Sequence, residues 1–443
     1  MENAKNDLIA AIATPHGKGA IGCIRLSGEG CADLVYALVE GLPQKKEHGV
    51  MRTGIFRGRV HDKIMAVIFY DGKSYTGEES AELYFHGGRY LLDQALLSII
   101  DAGARLAEAG EFTRRAFLNG KIDLTQAEGI GDLIDGESAD ALESAFYQSE
   151  GKTRAAVESL YNETVAAAAR AEVCIDYPEE ELEEQTNEQL CESIEALRQK
   201  IQAELNGYDG GRIRREGARV TLTGKTNAGK STLFNTLLGC DRAIVSDEEG
   251  TTRDTIEERM RYKDASFVLT DTAGLRETQN RVEQMGIERS LDAKRKADAV
   301  VHVVRKGEKF DESLDENAVL VINSWKTDCT GGKTTVQSGG KTTEAVELNA
   351  RTGAGAEILC EELYRRIRAK TQSGGNVNNP RQYEALKEAY ACLERALHAA
   401  HTLTMDCVCA DLSEAVRALG RITGKNASES IIGEIFAHFC VGK

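Results

Sequence analysis

The stretch Gly224-Lys225-Thr226-Asn227-Ala228-Gly229-Lys230-Ser231 has the pattern of a phosphate-binding loop and decides the fold of the segment around it. Residues 218–223 before it read as a β-strand and residues 232–238 after it as an apolar helix, which is the context that the motif requires. The glycines permit a tight turn, and backbone N–H groups and the helix N-terminus face the phosphates. Lys230 is expected to reach the β- and γ-phosphates, and the Ser231 hydroxyl to bind Mg²⁺. The flanking segments favour this interpretation over a chance glycine-rich turn.

Three runs that are apolar apart from Thr270 and His302 follow this loop, at 267–270, 299–304 and 318–322. Strands that are covered on both faces have this pattern, so the runs predict a parallel sheet between helices. The fold class predicted here is a Ras-like, three-layer α/β nucleotide-binding domain. The polar, glycine-rich stretch 330–341 is expected to be a mobile loop.

Length and charge limit the possible classes of protein. A chain of 443 residues is expected to hold two or three domains. The net charge of −16 opposes a protein that binds nucleic acid over its whole surface. Arg212, Arg214, Arg215 and Arg219 form a local basic cluster, for which we expect a solvated surface rather than a binding patch.

The 11 cysteines lack paired spacing, which predicts reduced thiols and a cytoplasmic protein. The first residues have neither the basic region nor the apolar run of a signal peptide. No window has the length and apolarity of a membrane span, so no membrane association is expected.

Changes in composition predict four segments of a multidomain α/β protein. Residues 1–121 alternate strand-like and helix-like runs, and residues 122–210 have the composition of long helices. The glycine-rich residues 207–211 are expected to separate those helices from the nucleotide-binding domain at 211–370. Helical periodicity returns in 371–443, so we predict one helical domain interrupted by an inserted α/β domain.

Parts of a catalytic site follow the phosphate loop. Asp271 ends a strand, where it can reach Mg²⁺ through water, and a threonine within 250–254 can close the Mg²⁺ shell. Leu275 stands where the GTPase template keeps a glutamine that orients the attacking water, so a polar group must come from elsewhere, and 276–288 is the nearest charged stretch. No arginine finger is evident, so a cation is the alternative source of positive charge. Asn227 is a candidate ligand for that cation or, alternatively, a residue that stabilises the loop by a hydrogen bond.

The motif that would select the base is irregular. Lys326 and Asp328 keep the Lys-x-Asp part, and Asp328 can accept hydrogen bonds from a guanine. Trp325 occupies the usual asparagine position, unless Asn323 reaches into the site. Guanine is the expected base.

Seven further motifs lie outside the nucleotide-binding segment, and a generic GTPase lacks them. They are Ala13-Thr14-Pro15, Gly22 to Gly28, Tyr75 to Glu79, His86-Gly87-Gly88, Gly110 to Lys121, Asp123 to Glu128 and Phe439-Cys440-Val441-Gly442-Lys443. With them the chain resembles, over nearly its whole length, the tRNA uridine-5-carboxymethylaminomethyl modification GTPases of the MnmE or TrmE family.

The resemblance implies a folate-binding and dimerisation domain at 1–121, a helical domain at 122–210 and 371–443, and an inserted GTPase domain that K⁺ activates. Glu283 matches the residue that orients the attacking water. The K⁺ ligands implied are Asn227, Ser246, Glu248 and Thr251, the Mg²⁺ ligands are Ser231 and Thr252, and the folate-binding residues are Arg25, Glu82, Lys121 and Lys443. The nucleotide-binding residues implied are Asn227, Ala228, Gly229, Lys230, Ser231, Thr232, Ser246, Asp247, Glu248, Glu249, Gly250, Thr251, Thr252, Asp271, Thr272, Ala273, Gly274, Lys326 and Asp328.

The reaction implied by the resemblance is the installation of an aminomethyl or carboxymethylaminomethyl group on C5 of the tRNA wobble uridine. A tetrahydrofolate derivative (5-formyl or 5,10-methylene) binds the chain, and the one-carbon unit comes from methylenetetrahydrofolate. An FAD-dependent, MnmG/GidA-like partner carries the redox step in a heterotetramer with the homodimer. GTP hydrolysis gates this chemistry.

Several alternatives remain open at this stage. One is a regulatory GTPase of ribosome assembly that binds RNA without modifying it, and another is a catalytically silent scaffold, suggested by Trp325. Cys440 is interpreted either as a nucleophile or as a small buried thiol. His398, His401, Cys407 and Cys409 have a loosely zinc-like composition, but their helical setting favours an ordinary apolar bundle.

Overall fold

The computed structural model describes residues 7–15, 17–43, 46–176, 183–239, 257–271, 293–308, 318–324, 329–338, 341–372 and 374–443. The chain divides into two compact units. One contains residues 1–131 and 417–443, and the other contains residues 132–416. Among the described residues, no helix has both the length and the apolar character that crossing a membrane requires.

The first unit is built on a seven-stranded sheet, as the α/β prediction for the N-terminal segment requires. Its elements are β1 (Ile9–Ile12), β2 (Ile21–Ser27), α1 (Cys31–Leu38), β3 (Val39–Glu40), β4 (Arg52–Arg57), β5 (His61–Phe69), β6 (Ser80–His86), α2 (Arg89–Asp101), β7 (Arg105–Leu106) and α3 (Glu111–Leu118). The strand order is β3-β4-β5-β6-β2-β1-β7, and all pairs but β1–β7 are antiparallel. Ile24, Phe56, Leu83 and Ile99 are fully or almost fully buried in its core.

Long helices follow, as the composition predicts. They are α4 (Leu124–Asp135), α5 (Ala139–Ser149), α6 (Lys152–Asp176) and α7 (Glu183–Glu216). The expectation that the glycines at 207–211 interrupt the helical segment was wrong, because α7 runs through them without a break. These glycines serve close packing instead. A Cβ atom at Gly210 would lie 2.8 Å from the carbonyl oxygen of Lys370, and one at Gly211 would lie 2.8 Å from that of Val377.

The remaining elements contain the predicted parallel sheet and the returning helices. They are β8 (Ala218–Thr223), α8 (Lys230–Gly239), β9 (Glu257–Tyr262), β10 (Ala265–Asp271), β11 (Ala299–Arg305), β12 (Ala318–Asn323), β13 (Gly332–Ser338), β14 (Lys341–Leu348), α9 (Ala356–Thr371), α10 (Pro380–Thr402), α11 (Met405–Thr423) and α12 (Glu429–Ala437). The strand order is β13-β14-β12-β11-β8-β10-β9. The five inner strands are parallel, and β13 and β9 pair antiparallel at the two edges.

The expectation of a mobile loop at 330–341 was also wrong. Residues 332–338 form β13, which pairs antiparallel with β14 from Gly332↔Glu347 to Ser338↔Lys341. The overlooked signal is a pair of threonine-rich runs separated by two glycines, which is a hairpin pattern. Lys333 ties this hairpin to the body of the domain by an ion pair of 2.9 Å with Glu362 of α9.

Helices from before and after the sheet pack on each other. The rings of Tyr208 on α7 and Tyr383 on α10 stack with centroids 4.1 Å apart. Arg198 of α7 donates a hydrogen bond of 2.5 Å to the Tyr390 hydroxyl of α10. This packing is the arrangement expected when an α/β domain is inserted into a helical one, although the predicted domain boundaries themselves stay a prediction.

A buried ion pair fixes the point where the chain passes from α7 into the sheet. Arg212 of α7 donates a hydrogen bond to the carboxylate of Asp298, and both side chains are almost inaccessible to solvent. The second carboxylate oxygen of Asp298 accepts a hydrogen bond of 2.8 Å from the backbone N–H of Arg219 in β8. The main-chain carbonyl of Asp298 accepts one of 2.7 Å from Lys370 of α9. The first and last segments of the α/β part therefore meet at one aspartate.

The remaining arginines of the predicted basic cluster are also engaged. Arg214 donates a hydrogen bond of 2.6 Å to the carbonyl oxygen of Thr371, and Arg215 forms an ion pair of 2.8 Å with Asp132. The interpretation of this cluster as a solvated surface was wrong for Arg212, Arg214 and Arg215. These side chains hold segments of the fold together.

We predict that Arg212→Ala lowers the free energy of unfolding by about 3 kcal/mol, because the substitution leaves a buried carboxylate without its cation. Urea denaturation of the full chain, followed by circular dichroism, measures this loss. Arg219→Ala is the matched control. Arg219 pairs with Glu216 on a surface where both side chains are partly exposed, so its loss should cost less than about 1 kcal/mol. Equal losses in the two variants would contradict the role given to the buried pair.

Candidate nucleotide-binding site and N-terminal ligand site

The phosphate loop lies between β8 and α8, as predicted, with three residues in the left-handed region of backbone conformation. They are Gly224 (φ 137°), Asn227 (φ 63°) and Gly229 (φ 96°). Two of these positions also exclude a side chain by contact. A Cβ atom would lie 2.2 Å from the Val303 carbonyl oxygen at Gly224, and 2.1 Å from the Asn323 side-chain nitrogen at Gly229. Residues of β11 and β12 therefore lie in direct contact with the loop.

Side-chain donors hold the carbonyl oxygens of the loop. The Lys230 ammonium donates hydrogen bonds to the carbonyls of Gly224 (2.9 Å) and Lys225 (2.8 Å). The Asn323 amide donates one of 3.0 Å to the Ala228 carbonyl. In a trans peptide the N–H of the next residue points away from the carbonyl, so Asn323 also fixes the direction of the Gly229 N–H. Carbonyls held in this way leave N–H groups free to face an anion.

Helix α8 begins at this loop and adds its own partial positive charge. Lys230 is its first residue and is buried, whereas Ser231 and Thr232 are exposed in its first turn. A helix N-terminus favours anions, and an exposed hydroxyl at this position can bind a divalent cation. The geometry therefore suits a phosphate chain and a metal ion.

Asn323, the asparagine offered as an alternative to Trp325, reaches the phosphate loop, whereas Trp325 itself lies outside the described residues. Asn323 ends β12 with a side chain that is 2% exposed. Besides donating to the loop, its amide oxygen accepts a hydrogen bond of 3.2 Å from the Ala350 N–H. One side chain thus joins the phosphate loop to residues 349–351. A buried polar residue at the carboxyl end of a parallel strand was the signal that could have identified it.

Asp271 ends β10, as predicted, and is 4% exposed. It pairs in register with Leu222 of β8, two residues before the phosphate loop. The other predicted residues of this site lie outside the described residues. They are Ser246, Asp247, Glu248, Glu249, Gly250, Thr251, Thr252, Thr272, Ala273, Gly274, Glu283, Lys326 and Asp328.

In the unit with the N-terminal sheet, three of the four predicted folate residues come together. The Arg25 guanidinium donates hydrogen bonds of 3.0 and 2.8 Å to one oxygen of Glu82, its cross-strand neighbour, and one of 3.3 Å to the Gly442 carbonyl. The charge of Arg25 also acts on Lys443. The side chain of Lys121 lies instead beside Gly77 of the 75–79 motif.

The electrostatics of this cluster favour an anionic ligand. Burial lowers the pKa of Lys443, and the nearby charge of Arg25 lowers it further. A bound anion would relieve both effects. The hydrogen bond from Tyr84 to Glu82 raises the pKa of the Tyr84 hydroxyl, so Tyr84 remains a donor. The rings of Tyr75 and Phe112 each lie 5.8 Å from the Arg25 guanidinium carbon, which gives the site an aromatic wall.

The structure bears on the interpretations of the cysteine and histidine residues. Cys440 is exposed, so its interpretation as a buried thiol was wrong. Across the described part of the chain, no group of three or more histidine, cysteine, aspartate or glutamate side chains could hold a metal ion. The helices that carry His398 and Cys409 therefore offer no zinc site among the described residues.

The sheet, the phosphate loop and its anchors define the class of this domain as a phosphate-loop nucleotide-binding domain of the α/β type. Comparisons with known proteins identify the family. Residues 8–121 match the family model described as "GTP-binding protein TrmE N-terminus", and residues 124–440 match the "MnmE helical domain".

Curated relatives match the chain over its whole length. The proteins named "tRNA modification GTPase MnmE" of Carboxydothermus hydrogenoformans and Nitrosomonas eutropha are each 37% identical, with 99% of both chains covered. The protein of that name from Aquifex aeolicus is 36% identical, with 98% of this chain and 99% of the relative covered. Among solved structures, the FeoB G-domain from Methanococcus jannaschii aligns with 34% of this chain and 98% of its own, at 22% identity and a TM-score of 0.22. The chain belongs to the MnmE family.

We predict that Asn323→Asp weakens nucleotide binding about tenfold or more, because the carboxylate cannot donate to the Ala228 carbonyl and leaves it without its partner. Fluorescence titration with a labelled guanine nucleotide measures the affinity. Ser324→Ala is the neighbouring control, since the Ser324 hydroxyl donates a hydrogen bond to Glu347. If Asn323→Asp binds as tightly as the unaltered protein, the anchoring role fails.

Proposed function

We propose that this chain is a K⁺-dependent GTP hydrolase that acts in the modification of the tRNA wobble uridine. The observation that carries the proposal is the phosphate loop whose carbonyls are held by Lys230 and Asn323. Membership of a family whose curated relatives are named tRNA modification GTPases supports it. The hydrolytic step cleaves the bond between the γ-phosphorus and the oxygen that leaves with GDP, as water attacks in line.

Chain residues divide the work of this step. The loop N–H groups and Lys230 would bind the phosphates. Ser231 and Thr252 would hold Mg²⁺, and Asp271 would act on it through water. Asn227, Ser246, Glu248 and Thr251 hold the K⁺ ion. Glu283 orients the attacking water through a second water. Mg²⁺ and K⁺ supply positive charge where negative charge develops on the phosphates.

The described residues Asn227 and Ser231 are chemically suited to K⁺ and Mg²⁺, respectively. Asn227 is exposed on the loop and holds a left-handed conformation, which is tolerated by asparagine among the non-glycine residues. Its amide oxygen is a ligand type suited to a hard cation. Ser231 is exposed in the first turn of α8. Lys326 and Asp328 read the guanine base.

The N-terminal cluster is the proposed folate site. Arg25 and Lys443 suit the glutamate tail of a tetrahydrofolate, Glu82 suits its pterin, and Lys121 adds a cation near the 75–79 motif. The derivative bound is 5-formyl- or 5,10-methylenetetrahydrofolate, and the one-carbon unit would come from the 5,10-methylene form. Its transfer to C5 of the uridine requires a redox step, which we assign to an FAD-dependent, MnmG/GidA-like partner.

The proposed assembly is cytoplasmic, and GTP hydrolysis gates its chemistry. Two copies of this chain form a homodimer, which joins two copies of the flavoprotein in a heterotetramer on tRNA. The product carries an aminomethyl or carboxymethylaminomethyl group at C5 of uridine 34. A regulatory GTPase that binds RNA without modification chemistry would have no need of the folate site. Equilibrium titration with tetrahydrofolate derivatives separates the two functions, because only the modification enzyme should bind them.

Hydrolysis should depend on both the nucleotide and the cation. We predict GTP turnover in K⁺ that is at least about tenfold faster than in Na⁺ at equal ionic strength, since the K⁺ site replaces an arginine finger. Phosphate release from GTP, ATP and XTP in each salt is the measurement. Equal rates in both salts would remove K⁺ from the mechanism. Absence of GTP turnover in K⁺ would instead favour a silent scaffold.

Glu283→Ala should preserve nucleotide affinity and slow hydrolysis about a hundredfold, because a group that positions the water acts only in the transition state. Single-turnover hydrolysis and nucleotide titration separate the two quantities. Glu288→Ala, in the same charged stretch, is the control. An unchanged hydrolysis rate in Glu283→Ala would exclude Glu283 from this role.

A further inference from the structure

Arg305, which has no role in the reaction described so far, contacts the phosphate loop from the end of β11. Strands β8 and β11 run parallel, with Thr223 opposite His302. The three following residues carry β11 past the start of the loop, and Arg305 is its last residue. Its guanidinium donates a hydrogen bond of 2.8 Å from Nε to the Asn227 carbonyl, and its Nη2 donates to the same oxygen.

This contact falls on the most constrained residue of the loop that is not a glycine. Asn227 has a φ of 63°, a conformation that costs about 1 kcal/mol or more for most side chains. Its carbonyl shares a peptide plane with the N–H of Ala228, which donates a hydrogen bond of 3.2 Å back to the Lys225 carbonyl. Through its hydrogen bonds to the carbonyl oxygen, Arg305 restrains the orientation of this peptide group. It thereby stabilises the turn from Lys225 to Ala228 and the backbone that carries the Asn227 side chain.

We propose that Arg305 is a positioning residue for the monovalent-cation site, acting through the main chain of Asn227. The inference rests on the proposed function, in which the Asn227 side chain is a K⁺ ligand. Arg305 donates both hydrogen bonds to the main-chain oxygen of Asn227, so the proposed cation ligand is the other oxygen of this residue, that of its side-chain amide. Without the guanidinium, the peptide group between Asn227 and Ala228 can rotate. The side-chain amide oxygen of Asn227 then occupies the position that binds the cation for a smaller fraction of the time.

The charge of Arg305 allows a sharp test, because it opposes the positioning effect. A guanidinium close to a cation repels it, so its removal should tighten K⁺ binding if charge alone matters. If positioning dominates, removal should weaken K⁺ binding. The direction of change in the half-activating K⁺ concentration therefore distinguishes the two roles.

The experiment uses the full-length protein and measures GTP hydrolysis against K⁺ concentration, with ionic strength held constant by tetramethylammonium chloride. We expect Arg305→Ala to raise the half-activating K⁺ concentration about tenfold, a loss typical of one charge-assisted hydrogen bond. The rate at saturating K⁺ should stay within about twofold. Arg305→Lys, which keeps a donor and the charge, should recover part of the loss.

Lys306→Ala is the matched control. Lys306 is the next cation along the chain, and its ammonium bonds to Glu347 rather than to the loop. Its half-activating K⁺ concentration should not change. Thermal unfolding and affinity for a labelled guanine nucleotide are measured on all variants.

The outcomes separate this inference from the proposed function. If the unaltered protein does not need K⁺, the proposed K⁺ mechanism fails and this inference fails with it. If the unaltered protein needs K⁺ but Arg305→Ala has an unchanged or lower half-activating concentration, only the positioning role of Arg305 is overturned. A lower melting temperature with unchanged K⁺ dependence would assign Arg305 a purely structural role and would also overturn it.

Discussion

The buried pair of Arg212 and Asp298 is the interaction on which the second unit depends. Two buried charges stabilise a fold most when they pair with each other and their remaining hydrogen-bonding atoms find partners. Asp298 meets this condition through the Arg219 N–H in addition to Arg212, whereas Nη1 of Arg212 is buried without a hydrogen-bond partner among the described residues. Because Arg212 lies on α7 and Asp298 directly precedes β11, the pair sets the position of the sheet relative to the helix that leads into it.

The neighbouring residues show how closely helix and sheet are joined there. Ile213, the residue after Arg212, is 4% exposed and belongs to the apolar core of the sheet. Gly210 and Gly211 lie on the preceding turn, where backbone from 370 and 377 leaves no room for a Cβ atom. The earlier part of helix α7 therefore packs in the helical bundle, and its last turns pack against the core of the sheet. This dual role explains why a glycine-rich stretch that looks like a linker is a continuous helix.

The sequence predicted the elements whose signals are local and failed where distant contacts decide. The phosphate loop and the three apolar strands could be predicted because strand, loop and helix each carry their own pattern. Glycines at 207–211 and 330–341 were misinterpreted for a common reason. Glycine marks loops in sequence, but it also permits close backbone approach within a packed fold, and only the tertiary structure distinguishes these uses.

The candidate site shows the same contrast between residues with a local sequence signal and residues whose role depends on distant contacts. Lys230 and Ser231 were predicted from the motif, whereas Asn323 was left as an alternative to Trp325. Its role depends on the Ala228 carbonyl, a main-chain atom 95 residues away in the sequence, and no side-chain pattern reports where a carbonyl will point. The contact of Arg305 with the loop could not be predicted for the same reason, because its partner is also a main-chain oxygen.

Contacts between arginine and main-chain carbonyls recur where each unit must hold its backbone in a set direction. Arg25 donates to the Gly442 carbonyl, Arg214 to that of Thr371, and Arg305 to that of Asn227. A guanidinium presents several N–H groups in one rigid plane, so it constrains the orientation of a peptide group, whereas the single flexible ammonium of lysine constrains mainly its distance. In the phosphate loop that difference matters most, because the direction of each carbonyl also determines the direction of the following N–H. The loop can therefore be prepared for its ligand by side chains that never touch that ligand.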